Sequence, residues 1–248
     1  MSILGHFSCR QYTDNGASGC FVCSCSALGA EQLHKKKREY HAAAGKKGAK
    51  EKYPMPLTPD MLIGAYCQGL FPMADDDGEI QWYDVRRRAI IPLEAFHVPR
   101  RLARRVRNGG FEIRVDTCFR EVMLACATPR PGHGGTWISD EMVEAYAELH
   151  QLGLAHSVEA WRDGHLVGGL YGVAVRGLFA GESMFSRETD ASKVALVHLV
   201  ERLRRGGFTL LDSQYIVGDH MLQFGTIEIS RAEYQRRLAL ALAVDATF

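Results

Sequence analysis

The feature that most constrains the fold is a pair of strand-like segments joined by a short turn. Residues 155–161 and His165–Val175 both have strand character, and Asp163-Gly164 stands between them. Asp-Gly in this position is a strong β-hairpin signal, because tight hairpin turns need residues that tolerate positive φ angles. Residues 178–184 continue the strand pattern. The sequence therefore predicts a sheet built on at least three consecutive strands.

Helices and shorter strands alternate along the rest of the chain. We predict helices at 99–107, 118–127, 140–152, Ala191–Arg205 and 234–244, and strands at 79–83, 89–93, 111–115 and 209–211. Thr58-Pro59-Asp60 begins an earlier helix that Gly69 ends. This pattern, without an internal repeat, predicts an α+β fold. We expect a small N-terminal α+β domain at 54–90, followed by a mixed sheet with flanking helices at 91–248.

Residues 1–53 differ from the rest of the chain in composition. They contain four cysteines and then a lysine-rich run from residue 34 to residue 52. Clustered like charge without apolar periodicity predicts a disordered basic arm, which either touches RNA phosphates or is simply solvated. Cys20-x-x-Cys23-x-Cys25 would suit a metal together with a histidine. A second pair at zinc-ribbon spacing is missing, so we predict no metal site.

Motifs that the chain lacks exclude several classes of protein. It has no run of about 18 apolar residues and no secretory signal, and its seven cysteines are an odd number. We therefore expect a cytoplasmic protein without membrane contact. There is no GxxxxGK[ST] loop, no His-Glu-x-x-His helix and no Gly-x-Ser-x-Gly elbow. These absences predict a reaction without a cofactor, on a substrate that arrives already activated.

Two groups of polar residues interrupt apolar strands in the C-terminal half. Glu182 lies within a predicted strand, where a buried carboxylate would need a partner, although it could also face water. Asp212 and Gln214 end a short apolar strand, and residues two apart on a strand share a face. A carboxylate beside an amide suits positioning an amine and polarising a carbonyl. Polar residues also commonly end strands, so this pattern alone leaves both interpretations open.

A third group is electrostatic. Eight arginines fall between residues 86 and 107, and four of them recur at three- and four-residue spacing on the predicted helix at 99–107: Arg100, Arg101, Arg104 and Arg105. The formal net charge is only +1, so this excess forms a local basic face. Such a basic face suits phosphate binding, and the alternative is that the arginines are simply solvated.

Several segments together resemble the bacterial leucyl/phenylalanyl-tRNA–protein transferases. The resemblance runs from about residue 57 to residue 235, with the segments in order: Leu70-Phe71-Pro72, Gly135-Thr136-Trp137-Ile138, Ala155-His156-Ser157-Val158-Glu159, Gly168-Gly169-Leu170-Tyr171-Gly172-Val173, Gly181-Glu182-Ser183-Met184-Phe185-Ser186, Ala191-Ser192-Lys193 and Asp212-Ser213-Gln214. It implies a catalytic domain of the acyl-CoA N-acyltransferase-like (GNAT) fold behind a small N-terminal domain.

The resemblance also implies a reaction and its partners. Leu or Phe, with Met as a further candidate, would move from aminoacyl-tRNA to the N-terminal Arg or Lys of an acceptor protein. The product would be marked for degradation by the N-end rule. The partners would be Leu-tRNA or Phe-tRNA and the acceptor protein, and we expect a monomer.

Residue roles follow from the same resemblance. Asp212 would draw a proton or orient the amine, Gln214 would position the reacting groups, and Glu182 would anchor the adenosine end or the Gln214 side chain. The substrate would meet seven further residues: Tyr66, Met73, Trp137, Tyr146, Leu170, Phe179 and Ser183. The tRNA would be held by Arg88, Arg100, Arg101, Arg104 and Arg105.

The chain departs from the family pattern at two places in the N-terminal part. Met73 stands where the family often has tryptophan, and only Arg88 remains of a Ser-Pro-x-Pro-Arg stretch. Two rival functions therefore stay open. One is a GNAT acyltransferase using acyl-CoA, although the Arg187-Glu188-Thr189-Asp190 turn lacks the glycines that usually cradle a pyrophosphate. The other is a non-catalytic RNA-binding protein that uses the arginine face.

Overall fold

A computed structural model describes residues 56–75, 77–129, 136–216 and 219–248, without the side chains of residues 219 and 220. The predicted arm at residues 1–53 and its cysteine motif lie outside the described residues. Within them, no helix is long and apolar enough to cross a membrane.

The N-terminal part begins with helix α1 (Pro59–Tyr66). The Thr58 hydroxyl accepts a hydrogen bond from the Met61 amide at 3.3 Å, and this is the predicted N-cap. Gly69 has a φ of +77°, which turns the chain after the helix as predicted. Strands β1 (Phe71–Ala74) and β2 (Ile80–Tyr83) then form an antiparallel hairpin. Of these two strands, only β2 matches a strand of the sequence-based prediction.

A seven-stranded sheet forms the centre of the molecule, in the order β4-β5-β6-β7-β8-β3-β9. Its strands, in chain order, are β3 (Arg87–Ile91), β4 (Glu112–Val115), β5 (Ala155–Arg162), β6 (His165–Val175), β7 (Leu178–Ser186), β8 (Leu210–Gln214) and β9 (Ile227–Ser230). All neighbours are antiparallel except β7 and β8, which are parallel. The predicted hairpin at Asp163-Gly164 joins β5 to β6.

Strand β3 belongs to this large sheet, where it pairs with β8 and β9. The sequence-based boundary at residue 90 therefore falls inside a strand of the larger unit. The prediction placed this strand at 89–93, close to its observed position, but assigned its start to the N-terminal domain. Pairing between residues that lie 120 or more positions apart in the chain is not visible in local sequence.

Five further helices lie on the sheet: α2 (Arg100–Arg107), α3 (Phe119–Ala127), α4 (Asp140–Gln151), α5 (Ala191–Arg205) and α6 (Arg231–Leu242). One core cluster holds α1, α3, α4 and α6 against one face, and a second holds α5 and α2 against the other. Successive residues of β6 enter different clusters, as the strand period requires: Leu170 packs with α5 and Tyr171 with α3 and α4. The mixed sheet with flanking helices confirms the predicted fold class.

Candidate active site

The parallel pair β7–β8 separates before either strand ends. Its register stops at the pair Ala180 and Asp212, whereas β7 continues to Ser186 and β8 to Gln214. A cavity of about 320 Å³ lies where the two strands diverge. Polar groups line one part of it, and the apolar part is lined by Ile91, Leu170, Met184, Leu196, Leu199, Leu211 and Met221.

A β-bulge in β7 places Glu182 in the cavity wall. Gly172 of β6 pairs with Gly181 and Tyr171 pairs with Ser183, so Glu182 is an extra residue without a partner across the ladder. Bulges redirect a side chain out of the regular alternation of a strand. The backbone is tight beside the bulge, because a Cβ at Gly172 would lie 2.3 Å from the Ala180 carbonyl oxygen. Glycine is therefore required at residue 172.

The Glu182 carboxylate is held by neutral donors. Gln214 donates from Nε2 to Oε1 at 2.8 Å, and the Tyr146 hydroxyl donates to Oε2 at 3.4 Å. The hydroxyls of Tyr146 and Tyr66 are hydrogen-bonded to each other behind this carboxylate. Burial raises the pKa of Glu182 to about 7, against the lowering effect of the Gln214 hydrogen bond and of the nearby Tyr66 hydroxyl. Glu182 is thus poised to take or give a proton near neutral pH.

Gln214 reaches Glu182 through an unusual backbone conformation. In the β3–β8 pair, Ala89 faces Gln214 and Ile90 faces Asp212, so Ser213 is the extra residue of a second irregularity. Gln214 has a φ of +63°, and its backbone N–H donates to Asp212 Oδ1 at 2.8 Å. The sequence-based expectation was that Asp212 and Gln214 project together from one strand face. The two residues are linked instead through the backbone of Gln214, and their side chains have different partners.

Asp212 is fully buried and accepts four donors. Arg88 donates from Nε at 2.9 Å and from Nη2 at 2.6 Å, and the Tyr234 hydroxyl donates at 2.7 Å. The fourth donor is the backbone N–H of Gln214. A carboxylate offers about four lone-pair directions. Asp212 therefore fixes the backbone at Gln214, and its carboxylate has no site left for a further proton donor.

Arg88 lies in the protein interior and does not reach an RNA backbone, contrary to the sequence-based expectation. Its side chain is 2% exposed and its guanidinium lies over the rings of Phe71 and Tyr234, at 4.7 and 4.6 Å. It also donates to the Gly69 carbonyl at 3.1 Å, which ties the N-terminal part to the sheet. Local sequence carries no signal of this pairing, because Arg88 directly follows Arg86 and Arg87, and its partner Asp212 lies 124 residues later.

The structure brings some of the other expected substrate residues to the cavity and leaves others behind it. Trp137, Leu170 and Ser183 line the cavity together with Gln214 and Glu182. Tyr66 and Tyr146 are buried behind Glu182. Phe179 is fully buried among aromatic rings of the second core cluster, and Met73 contacts the Tyr215 hydroxyl through its sulfur. Sequence reasoning missed Tyr171 and Tyr215, which also line the cavity.

The arginines of α2 form a separate basic surface. Arg101, Arg104 and Arg105 line a hollow of about 380 Å³ with Asn108, Gly109, Thr189 and Asp190. Arg100 is exposed but lies outside this lining. Arg101 pairs with Asp190 at 3.3 Å, and the buried Nε of Arg105 has no hydrogen-bond partner in the described part of the chain. The described part of the chain contains no group of three His, Cys, Asp or Glu side chains that could hold a metal ion.

Comparison with known proteins assigns this chain to a family. Residues 90–239 match the family model of leucyl/phenylalanyl-tRNA protein transferase, and residues 55–86 match the model of its N-terminal domain. The transferase of Paramagnetospirillum magneticum is 56% identical over 78% of this chain and 93% of its own length. That of Herpetosiphon aurantiacus is 60% identical over 77% and 98%. The chain therefore belongs to the leucyl/phenylalanyl-tRNA–protein transferase family, as its motifs indicated.

Proposed function

We propose that this chain transfers Leu or Phe from the 3′ end of an aminoacyl-tRNA to the N-terminal Arg or Lys of an acceptor protein. The observation that carries the proposal is the cavity between β7 and β8, in which an apolar wall meets the Gln214–Glu182 pair. An aminoacyl ester has the same two parts, an apolar side chain and a reactive carbonyl.

The apolar part of the cavity suits the transferred side chain. Its walls are the branched or flexible side chains of leucine, isoleucine and methionine. Burying a leucine or phenylalanine side chain in such surroundings contributes roughly 1.5–3 kcal/mol, which favours these residues over polar ones. Methionine walls adapt to different apolar shapes and so support acceptance of Leu, Phe and Met by one site.

The reaction needs alignment and the movement of one proton. The acceptor's α-amine attacks the ester carbonyl, so that a bond forms from nitrogen to the carbonyl carbon. The bond from that carbon to the ribose 3′ oxygen breaks. The attacking nitrogen must lose a proton and the leaving oxygen must gain one, so the step needs no outside oxidant, reductant or nucleotide. Holding the two reactants in place supplies a large part of the rate enhancement.

Glu182 is the better candidate for moving that proton. Glu182 and Asp212 both line the cavity, but the pKa of Glu182, about 7, lies near that of an α-amine, which is about 7.7–8.0. A base of matched pKa can take a proton from nitrogen and return it to the leaving oxygen. The hydrogen-bonding positions of the Asp212 carboxylate are filled by Arg88, Tyr234 and the backbone N–H of Gln214. We therefore assign Asp212 to positioning Gln214.

The arginine surface on α2 supports a tRNA-binding role. Neutralising both Arg101 and Arg104 with glutamine should weaken tRNA binding and reduce the slope of log K against log salt concentration by about 1 to 2, because each lost phosphate contact reduces counterion release. The measurement is a filter-binding titration with deacylated tRNA from low to moderate salt. Neutralising both Arg236 and Arg237 with glutamine is the matched control, because both of these arginines pair with Glu233 on α6. An unchanged slope in the double variant would place the tRNA on another surface.

A transfer assay tests the proposed function. Purified protein incubated with labelled Phe-tRNA should add one Phe to a peptide that begins with Arg, without ATP, because the ester is already activated. Mass spectrometry of the peptide measures the product. The same peptide with an acetylated N-terminus is the control and should stay unlabelled. Absence of transfer, with the tRNA still charged and the protein folded, would refute the proposal.

A further inference from the structure

Tyr215 is the exposed aromatic residue of the cavity wall. Of the described residues that line the cavity, Thr128, Thr136 and Tyr215 are exposed, and only Tyr215 carries a ring. It is 37% exposed, and it directly follows Gln214 at the end of β8. An exposed ring beside the groups that would hold the reacting carbonyl is a surface on which part of a substrate can pack.

Contacts with the N-terminal hairpin hold this ring in place. Phe71 of β1 stacks against it, with 6.1 Å between the ring centroids and 29° between the ring planes. The Tyr215 hydroxyl donates to the Met73 sulfur at 3.6 Å. Phe71 is buried and covers one side of the ring, so the exposed surface of Tyr215 lies on the other side. Tyr215 therefore offers a flat surface whose direction is fixed before any ligand binds.

The two core clusters place the ring relative to the rest of the cavity. The apolar wall is built from the second cluster, whereas Phe71 behind Tyr215 belongs to the first. These clusters lie on opposite faces of the sheet, so the apolar wall and the Tyr215 ring approach the Glu182–Gln214 pair from opposite sides. Burial, and then the charge of Glu182, raises the pKa of the Tyr215 hydroxyl, which indicates that Tyr215 lies near this carboxylate.

An aminoacyl-adenosine has its parts in a matching order. The side chain, the ester carbonyl, the ribose and the adenine follow one another along the molecule. A side chain on the apolar wall, with its carbonyl at the Glu182–Gln214 pair, therefore directs the adenosine toward Tyr215. Every base has a flat π surface that stacks on aromatic side chains.

We infer that the 3′-terminal adenine of the aminoacyl-tRNA stacks on the exposed side of the Tyr215 ring. This inference rests on the proposed function. It gives Tyr215 a positioning role, because a base fixed on this ring holds the ester next to the Glu182–Gln214 pair. A cationic side chain of the acceptor also packs on aromatic rings, and the experiment separates the two ligands.

Binding of two amide-linked analogues, measured by calorimetry, tests the contact. One is 3′-deoxy-3′-(phenylalanylamino)adenosine, and the other is the same compound with hydrogen in place of the base. Tyr215→Leu should weaken binding of the adenosine analogue by about 10-fold, because one stacked base contributes a factor of this order. Binding of the abasic analogue should not change. Tyr215→Phe keeps the ring and should bind the adenosine analogue nearly as tightly as the wild type.

Tyr83→Leu is the matched control for this experiment. Tyr83 stacks on Phe71 at 6.0 Å and 26°, much as Tyr215 does, but it is not among the described residues that line the cavity. This variant should bind both analogues as the wild type does. Equal losses in Tyr83→Leu and Tyr215→Leu would show that the effect arises from packing on Phe71 and would overturn the inference.

Three further results would also overturn it. Equal losses for both analogues in Tyr215→Leu would place the ring against the ribose or the aminoacyl part, and no loss for either would place the base elsewhere. A raised KM for an Arg peptide in the transfer assay, with unchanged analogue binding, would assign the ring to the acceptor. Absence of transfer by a wild type that binds the adenosine analogue through Tyr215 would refute the proposed function and not the stacking.

Discussion

Arg88→Met is expected to destabilise the protein by about 3–5 kcal/mol. Met has a similar length and keeps much of the packing between Phe71 and Tyr234, but it leaves the Asp212 carboxylate buried without a cation. Removing one partner of a buried ion pair has a cost of this size, because the remaining charge is neither solvated nor paired. The guanidinium also bonds to the Gly69 carbonyl, so the contact between the N-terminal part and the sheet weakens as well.

Arg87→Met is the matched control for this prediction. Arg87 is the neighbouring residue on β3 and also pairs with a carboxylate, Glu228, but its side chain is 69% exposed. An exposed pair contributes little, so this change should alter the free energy of unfolding by less than about 1 kcal/mol. Urea unfolding of the three proteins measures both values. Similar effects for the two substitutions would show that Asp212 does not depend on Arg88 for its charge.

Glu182→Gln is expected to lower the rate of transfer by about 100- to 1,000-fold. Glutamine has the same shape but one acceptor oxygen, so it can accept from Tyr146 or from Gln214 and not from both, and it cannot take a proton from the attacking amine. Loss of a general base generally costs a factor of this order. The binding of tRNA should change little, because the arginine surface on α2 is untouched.

Single-turnover transfer with saturating Phe-tRNA measures the effect on the chemical step directly. Glu144→Gln serves as the control, because Glu144 forms an exposed pair with Arg120 on the helices that cover the sheet. It should transfer at the wild-type rate. A near-normal rate in Glu182→Gln would remove Glu182 from the chemistry and leave it a structural partner of Gln214.

Much of the fold follows from local sequence. The β5–β6 hairpin, the helix that Thr58 caps and the helix at Ala191–Arg205 were all predicted close to their observed ends. In each case the signal is short-range: a turn dipeptide, a capping residue or an apolar stripe ended by glycine. The sequence also singles out Asp212, Gln214 and Glu182, because polar side chains in apolar strands are conspicuous.

The geometry that gives those residues their roles could not be predicted in this way. The extra residues Glu182 and Ser213 break the alternation of their strands, and a bulge depends on the register with a strand far away in the chain. The position of Arg88 follows from its pairing with Asp212, which lies 124 residues later. Local sequence shows only a cluster of arginines there, and it does not separate the buried one from the exposed ones.

The pH dependence of single-turnover transfer tests the central claim most directly, with the wild type, Glu182→Gln and Asp212→Asn measured side by side. Glu182 has a pKa of about 7 and must be deprotonated to act, and the acceptor amine must be neutral. The log of the wild-type rate should therefore rise with pH, with a slope of about 2 below pH 7 and of about 1 between pH 7 and the pKa of the amine. In Glu182→Gln the slope should be about 1 at every pH below the pKa of the amine. Asp212→Asn should be slower but keep the steeper limb below pH 7. Loss of that limb in Asp212→Asn, with its retention in Glu182→Gln, would contradict the account and return the proton to Asp212.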